Sequence, residues 1–330
     1  MDPLNKGPAK FYQMFKVHKS HNAPETPPER PIISASGSVT ENVGLFVEHH
    51  IKDFANKHPS YLQDTPDFLR MLEARNAGQP LPKNAILVTL DVSSLYTNIP
   101  QDEGLDCIRE CLNDRINPEV PTDLIVKMME IVLKHNIFEF NQELFIQLIG
   151  TAMGCRPAPS YANIFMAKKI DPEIVKIAQS LIKDKNPVDT FKRFLDDIFM
   201  IYTGSISSLH ELLNELNCLH PSIKFTMSHT TPPDVQESEC DCLSVDHLAF
   251  LDTSCRIVDG KVLTDLYRKE TDRNQYLLPS SCHPAHVSDN IPYSLALRIV
   301  RICSLPEDRE KKIFGIERFI VVTRLQSKIN

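Results

Sequence analysis

The chain lacks any uninterrupted apolar run near the roughly 18 residues that a membrane-spanning helix needs. Its start, MDPLNKGPAKFYQMFKVHK, is polar and basic, with no apolar signal core. These two absences exclude a helical membrane protein and a secretory leader, and the expectation is an intracellular chain with no membrane partner. Its nine cysteines show no framework spacing, which excludes a disulfide scaffold and points to reduced thiols. Cys240 and Cys242 in ECDCLS, and Cys282 beside His283 and His286 in CHPAH, lack the paired ligand spacing of a structural zinc site, so unligated side chains are expected there. A uniformly basic surface is also missing, because the net charge is −7. The last seventy residues carry about +4 and the rest about −11, so a phosphate-binding surface is expected to be local and partly C-terminal. There is no internal repeat, no long low-complexity segment and no regular βαβ alternation, which leaves an α+β class with an antiparallel sheet.

What is present suits a globular chain. With 330 residues, 42% hydrophobic and 24% charged, it can bury the core of one large or two modest domains. KFYQMFKVHK and RPIISAS read as short strands separated by the loop SHNAPETPPE. VGLFVEHHIKDFANK and DFLRMLEAR carry apolar residues three and four apart and read as helices, and NAGQPLPKN is a loop. AILVTLDV, rich in β-branched residues, reads as a buried strand that ends at Asp91. EGLDCIRECLND and TDLIVKMMEIVLKHN follow as helices, the second with Thr122 or Asp123 as N-cap. IFEFNQELFIQLIG reads as a hairpin turning at Asn141–Gln142, APSYANIFMAKK and SSLHELLNELNCL as helices, and IKFTMSH and HLAFLDTSCRIVDGKVLTDLYRK as strands. The tail from about 290 is helical and basic.

FKRFLDDIFMIYTG places two adjacent carboxylates, Asp196 and Asp197, in the middle of an apolar run. In a straight strand neighbours point to opposite faces, so a tight turn that lifts both to a hairpin tip is expected. Such a tip suits Mg²⁺, whose preferred ligands are carboxylate oxygens. A plain Asp-rich turn is the alternative. Asp91, which also closes an apolar strand, favours a shared metal site.

LDVSSLYTNIP, GTAMGCRPAPSYAN and FLDD stand in the order and approximate spacing of motifs A, B and C of the reverse-transcriptase palm. With FKVHK, RPIIS, HPSIKFT, AFLD, YRKETDRNQYL and SSCHPAH, the chain resembles the reverse transcriptases of Penelope-like retroelements, which are related to telomerase. The resemblance runs from about Lys10 to Ser304. It implies a right-hand polymerase fold with fingers at 1–88, a palm at 89–265 holding motifs A to E with an interleaved fingers segment, and a thumb-like helical region at 266–330. The implied activity is that of an RNA-directed DNA polymerase with an RNA template, a DNA primer and deoxynucleoside triphosphates as partners, resident in the nucleus.

The implied cofactor is Mg²⁺, two ions, with Mn²⁺ as a substitute. The implied catalytic set is Asp91, Asp196 and Asp197. Asp91, Asp196 and the Val92 carbonyl hold metal, while Asp197 supports the site. Tyr96 matches the ring that sits under the sugar and collides with a ribose 2′-hydroxyl, against a core tyrosine as the structural alternative. Arg30 and Lys16 match the fingers cations that hold the triphosphate. Gly154 permits close backbone approach to nucleotide or template. Lys224 lies where a lysine protonates the departing pyrophosphate, or is a cation beside the palm. AFLDTSC resembles the primer-grip hairpin, and Arg298 and Arg301 match thumb cations on the duplex. The chain departs from the family at Cys155, Arg156, Pro157, Ala158 and Pro159, where small-Pro-Leu-Ser-Pro is common. Arg156 there grips template phosphate or marks decay of a mobile-element copy.

No GIY-YIG nuclease motif follows Leu325, so the expected chain lacks that endonuclease. The alternative from another class is a truncated or domesticated nucleic-acid-binding protein without polymerase activity. A two-metal nuclease or integrase has no use for a sugar-gating tyrosine.

Overall fold

The computed structural model describes residues 6–15, 29–182, 188–231, 243–269, 272, 276–277 and 281–315. Lys16, residues 20–28 of the SHNAPETPPE loop and the Cys240–Cys242 pair lie outside the described residues. In chain order the elements begin with β1 (Ala9–Phe15), β2 (Glu29–Ser34), α1 (Glu41–Asn56), α2 (Thr65–Asn76), β3 (Ile86–Val92), α3 (Leu95–Asn98), α4 (Gln101–Asn113) and α5 (Thr122–Lys134). There follow β4 (Ile137–Phe140), β5 (Glu143–Ile146), α6 (Ala158–Phe165), a π-turn over Met166–Ile170, α7 (Asp171–Leu181), β6 (Val188–Phe194), β7 (Asp197–Tyr202) and α8 (Ile206–Leu219). The described elements close with β8 (Phe225–Thr230), β9 (Leu243–Val245), β10 (Leu248–Phe250), β11 (Thr253–Val258), β12 (Lys261–Leu266) and α9 (Ala285–Ile302). Helical backbone resumes at 306–315. The chain divides into two compact units, one made of 1–62 and 90–227, the other of 63–89 and 228–330.

The first unit carries the antiparallel β6–β7 hairpin beside the end of β3, with the start of β8 on the far side of β3. In β7, Ile198, Phe199, Met200, Ile201 and Tyr202 are all fully buried. Burial on both faces explains why the sequence shows a continuous apolar run there rather than an alternation. Helices α1, α4, α5 and α6 pack on one another. On α5 the buried residues Ile125, Val126, Met129, Val132 and Leu133 recur at helical spacing and form one inward stripe.

A second sheet in this unit has the order β2-β1-β4-β5. Its β4–β5 hairpin turns at Asn141 and Gln142, both at positive φ (51° and 67°), the I′ pattern that matches strand twist. The antiparallel expectation is not uniform: β1 pairs with β4 in parallel. The N-cap expectation for α5 is corrected too. The cap is Pro121 and Thr122 is already helical, its hydroxyl accepting from Arg115 at 3.1 Å instead of capping.

In the second unit, β10, β11 and β12 form an antiparallel meander. Thr230 at the end of β8 accepts the Leu87 N–H through Oγ1 at 3.0 Å, and β9 runs parallel to β8. Helix α2 is capped by Asp64, whose carboxylate accepts the Asp67 N–H at 2.8 Å. Helix α9 starts at Ala285, five residues before the sequence-based boundary, and seats Ile299, Ile302 and the following Cys303 against Leu266 of β12. Among the described residues no helix is long and apolar enough to cross a membrane.

Burial and capping differ in weight, and stability should show it. Ile201→Ala should cost about 2–5 kcal/mol through lost burial and the cavity left behind. Asp64→Ala should cost about 1 kcal/mol through the lost cap. Denaturant unfolding of the two variants measures both.

Candidate active site

The sequence of β3, ILVTLDV, is buried except at Thr89 and Asp91, which are partly accessible near its C-terminal end. A carboxylate at a strand end avoids the desolvation that full burial imposes on a charge. Beyond Val92 the chain turns at Ser93 and Ser94, the latter at φ 52°, and enters α3 with Tyr96 in its first turn. Asn98 Nδ2 donates to Ser93 O at 3.0 Å and Thr97 Oγ1 to Ser94 O at 3.0 Å, which ties this turn to its own helix.

The β6–β7 hairpin meets β3 at its turn. Phe194 pairs with Asp197, so the two-residue turn is Leu195–Asp196. Only Asp196 of the acidic pair therefore lies in the turn. Asp197 opens β7, which corrects the expectation that both carboxylates stand at the tip: strand pairing already claims the second one. The Val92 N–H donates to Asp196 O at 3.1 Å. That bond sets the turn against the end of β3 and puts Asp91 and Asp196 on neighbouring segments.

Tyr96 belongs to the same place. Its phenol is pushed up to about 12, first by burial and then by the negative charge of Asp196. The sequence-predicted gate ring thus lies within the electrostatic reach of the Asp196 carboxylate. The backbone of this turn is gripped from a third side: Thr151 N donates to Tyr96 O at 2.7 Å. Gly150, at φ 72°, lies so close that a Cβ there would stand 2.5 Å from Tyr96 O. Only glycine fits that position.

The other predicted residues lie on other segments of the chain. Gly154 does make a close backbone approach, but within the chain, since a Cβ there would stand 2.6 Å from Ile33 O of β2. Ile33 N donates to Met153 O at 2.8 Å, so the loop before α6 is tied to the strand that carries Arg30. Arg30 is exposed on β2 opposite Met14. The Lys224 ammonium donates to the carbonyls of Asn217 and His220 at the C-terminal end of α8, a favourable place for a cation, while its backbone oxygen accepts from Ser93 N at 2.8 Å. Arg156 is exposed. Its charge acts on Glu48, whose carboxyl burial raises while a hydrogen bond from Ser160 and the charges of Lys52 and Arg156 draw it down. In the second unit, Arg298 pairs with Asp252 at 2.7 Å and Arg301 is exposed on the last turn of α9.

Among the described residues no group of three or more His, Cys, Asp or Glu side chains forms a ready metal cage. Two carboxylates on adjacent segments still fit Mg²⁺, which is commonly bound through one or two carboxylates with substrate phosphates supplying the rest.

The residue that sequence reasoning passes over is Arg193. It sits in β6 two positions before the turn, and it is fully buried. Its guanidinium meets Asp171, Asn163 and the Leu195 carbonyl. A basic residue inside FKRFL was the available signal, but its partners lie on other elements.

Comparison with solved structures defines the class. Telomerase from Candida albicans, in complex with a fragment of telomeric RNA, matches with a TM-score of 0.63 at 10% identity, covering 94% of this chain and 53% of that one. Telomerase from Candida tropicalis matches with a TM-score of 0.56 at 11% identity, covering 97% and 54%. The RNA-dependent RNA polymerase of a human picorbirnavirus matches with a TM-score of 0.50 at 11% identity, covering 79% and 46%. The fold is the right-hand polymerase fold, α+β as expected, and the chain spans about half the length of these solved chains. The chain belongs to the reverse transcriptase (RNA-dependent DNA polymerase) family, whose model matches residues 29–230. A model of the animal helix-turn-helix domain matches residues 275–319, the stretch that contains α9 and the helical segment after it. Comparison with curated protein sequences finds no match.

The raised phenol makes a direct prediction. A tyrosine whose folded value lies above its ordinary value near 10 adds stability that is fully present below pH 10 and is lost as pH rises toward about 12. Tyr96→Phe should flatten the fall in stability across that window, and an ultraviolet titration should show one late-ionising phenol fewer.

Proposed function

We propose that this chain is the catalytic part of an RNA-directed DNA polymerase of the Penelope-like kind, extending a DNA primer on an RNA template with deoxynucleoside triphosphates. The single observation that supports it most is the Val92 N–H to Asp196 O bond, which joins the strand end bearing Asp91 to the turn bearing Asp196. In this reading fingers span 1–88, the palm 89–265 and the thumb 266–330. The polymerase would reside in the nucleus with its DNA.

Asp91 and Asp196, with the Val92 carbonyl, would hold Mg²⁺, with Asp197 in support. When bound there, two such ions would activate the primer hydroxyl and steady the leaving pyrophosphate. The chain's own residues orient the reactants. Tyr96, held from behind by Gly150 and Thr151, would place its ring under the incoming sugar and exclude a 2′-hydroxyl. Arg30, with Lys16, would grip the triphosphate, the planar guanidinium presenting paired donors to phosphate oxygens. Gly154 would hold the loop before α6 against the Arg30 strand, so that nucleotide and template meet a fixed backbone. Lys224 would serve the leaving group only by releasing the α8 carbonyls it now caps. Arg156, Arg298 and Arg301 would contact nucleic-acid phosphates.

Primer extension on poly(rA)–oligo(dT) with Mg²⁺ tests this. The unmodified chain should extend. Asp91→Asn and Asp196→Asn should each lose about a thousandfold in rate, roughly 4 kcal/mol of barrier. Tyr96→Ala should keep extension and admit ribonucleotides at least about tenfold more readily. A folded chain that binds the duplex but extends nothing with Mg²⁺ or Mn²⁺ would replace this reading with that of a binding protein without polymerase activity.

A further inference from the structure

We propose that Arg193 is the positioning residue of the acidic turn: its buried guanidinium clamps the Leu195 carbonyl and thereby sets the direction in which Asp196 presents its carboxylate. This rests on the reading of Asp196 as a metal ligand.

The turn itself needs holding. Leu195 has φ 55°, whereas Asp196 is not at positive φ. A hairpin turn with positive φ at its first position alone follows the II′ pattern, which is built for glycine there. A leucine in that conformation costs roughly 1–2 kcal/mol, so other contacts must keep the turn in place. Leu251 repeats the arrangement between β10 and β11 at φ 51°, where the Thr253 hydroxyl donates to Phe250 O at 2.7 Å. At the acidic turn a guanidinium does the corresponding work.

Arg193 is placed to do so rigidly. Its side chain is 1% exposed and that of Asp171 is 4% exposed. Nε donates to Asp171 Oδ1 at 2.9 Å and Nη2 to Asp171 Oδ2 at 3.0 Å. Nη1 donates to Asn163 Oδ1 at 2.6 Å and to Leu195 O at 3.0 Å, and Nη2 also to Asn163 O at 3.2 Å. Every donor direction of the fork is used. The backbone is pinned as well, with Arg193 N donating to Ser60 O at 2.6 Å and Leu62 N to Arg193 O at 2.9 Å. Ser60 Oγ donates in turn to Asp171. Asn163 lies in the last turn of α6 and Asp171 begins α7, on either side of the π-turn. The clamp therefore refers the position of the turn to the helix that follows the loop of Gly150 to Arg156.

Stability alone is a poor reason to bury such a pair, because well-packed apolar replacements are often neutral or better. The contact to Leu195 O is what such replacements would lose. Lysine could keep the charge opposite Asp171 but has no planar fork to reach Asn163 and Leu195 together.

The test uses the full chain with two variants, Arg193→Lys and the charge-free double variant Arg193→Met with Asp171→Met, and Asp196→Asn as a control. Mn²⁺ binding is read by electron paramagnetic resonance without nucleotide or nucleic acid, and amide hydrogen exchange is read at residues 195–197. The expected result is folded variants with Mn²⁺ affinity weakened about tenfold and exchange at the turn accelerated about tenfold, while exchange in α4 and α5 is unchanged. Folded variants with unaltered turn exchange would overturn the proposal. Failure of the charge-free variant to fold would overturn it as well, by assigning the network to stability. If Asp196→Asn leaves Mn²⁺ binding unaltered, the metal-ligand reading fails by itself, and turn exchange still decides whether Arg193 acts as the clamp.

Discussion

Two carboxylates brought onto neighbouring segments must stand, against their mutual repulsion, at the rim of a sheet whose interior cannot solvate them. The protein meets this constraint by placing Asp91 near the end of a strand and Asp196 in a turn, both partly accessible, and by joining the two segments through one backbone hydrogen bond from Val92 to Asp196. Apart from Thr89 and Asp197, the remainder of β3 and β7 is buried beneath them. Packing gained deeper in the sheet opposes the repulsion at the rim.

From that edge the surroundings are built outward by close backbone contacts. The loop of Gly150 to Gly154 touches Tyr96 on one side and β2 on the other, because both glycines come nearer to neighbouring carbonyls than any side chain would allow. The strand with Arg30, the loop before α6 and the turn with Tyr96 are thereby linked without a single long side chain. Beneath them, Arg193 ties the acidic turn to the ends of α6 and α7. Lys224 shows the same economy at the other neighbour of β3, its ammonium closing the end of α8 while its backbone receives Ser93.

Much of this was legible along the chain. An apolar run that stops at Asp91 and another interrupted at Asp196 are local patterns, since a buried strand is written in consecutive residues. The Asn141–Gln142 hairpin was legible for the same reason, through turn residues that tolerate positive φ. The helix stripes of α4 and α5 follow from spacing alone. Errors fall where a local rule met a distant competitor. Thr122 has the chemistry of a cap, but Arg115 takes its hydroxyl. Asp197 shares its neighbour's chemistry, but pairing with Phe194 places it in the strand.

The sequence by itself determined the order of the elements, the residue types at the acidic edge and the family to which they belong, because each depends on composition and spacing within one short segment. Only the tertiary structure decided which carbonyl each donor reaches. Arg193 and Asp171 stand 22 positions apart, and Ser60 lies 111 from Asp171. A buried guanidinium is defined by partners that converge on it in space, and chain spacing carries no record of that convergence.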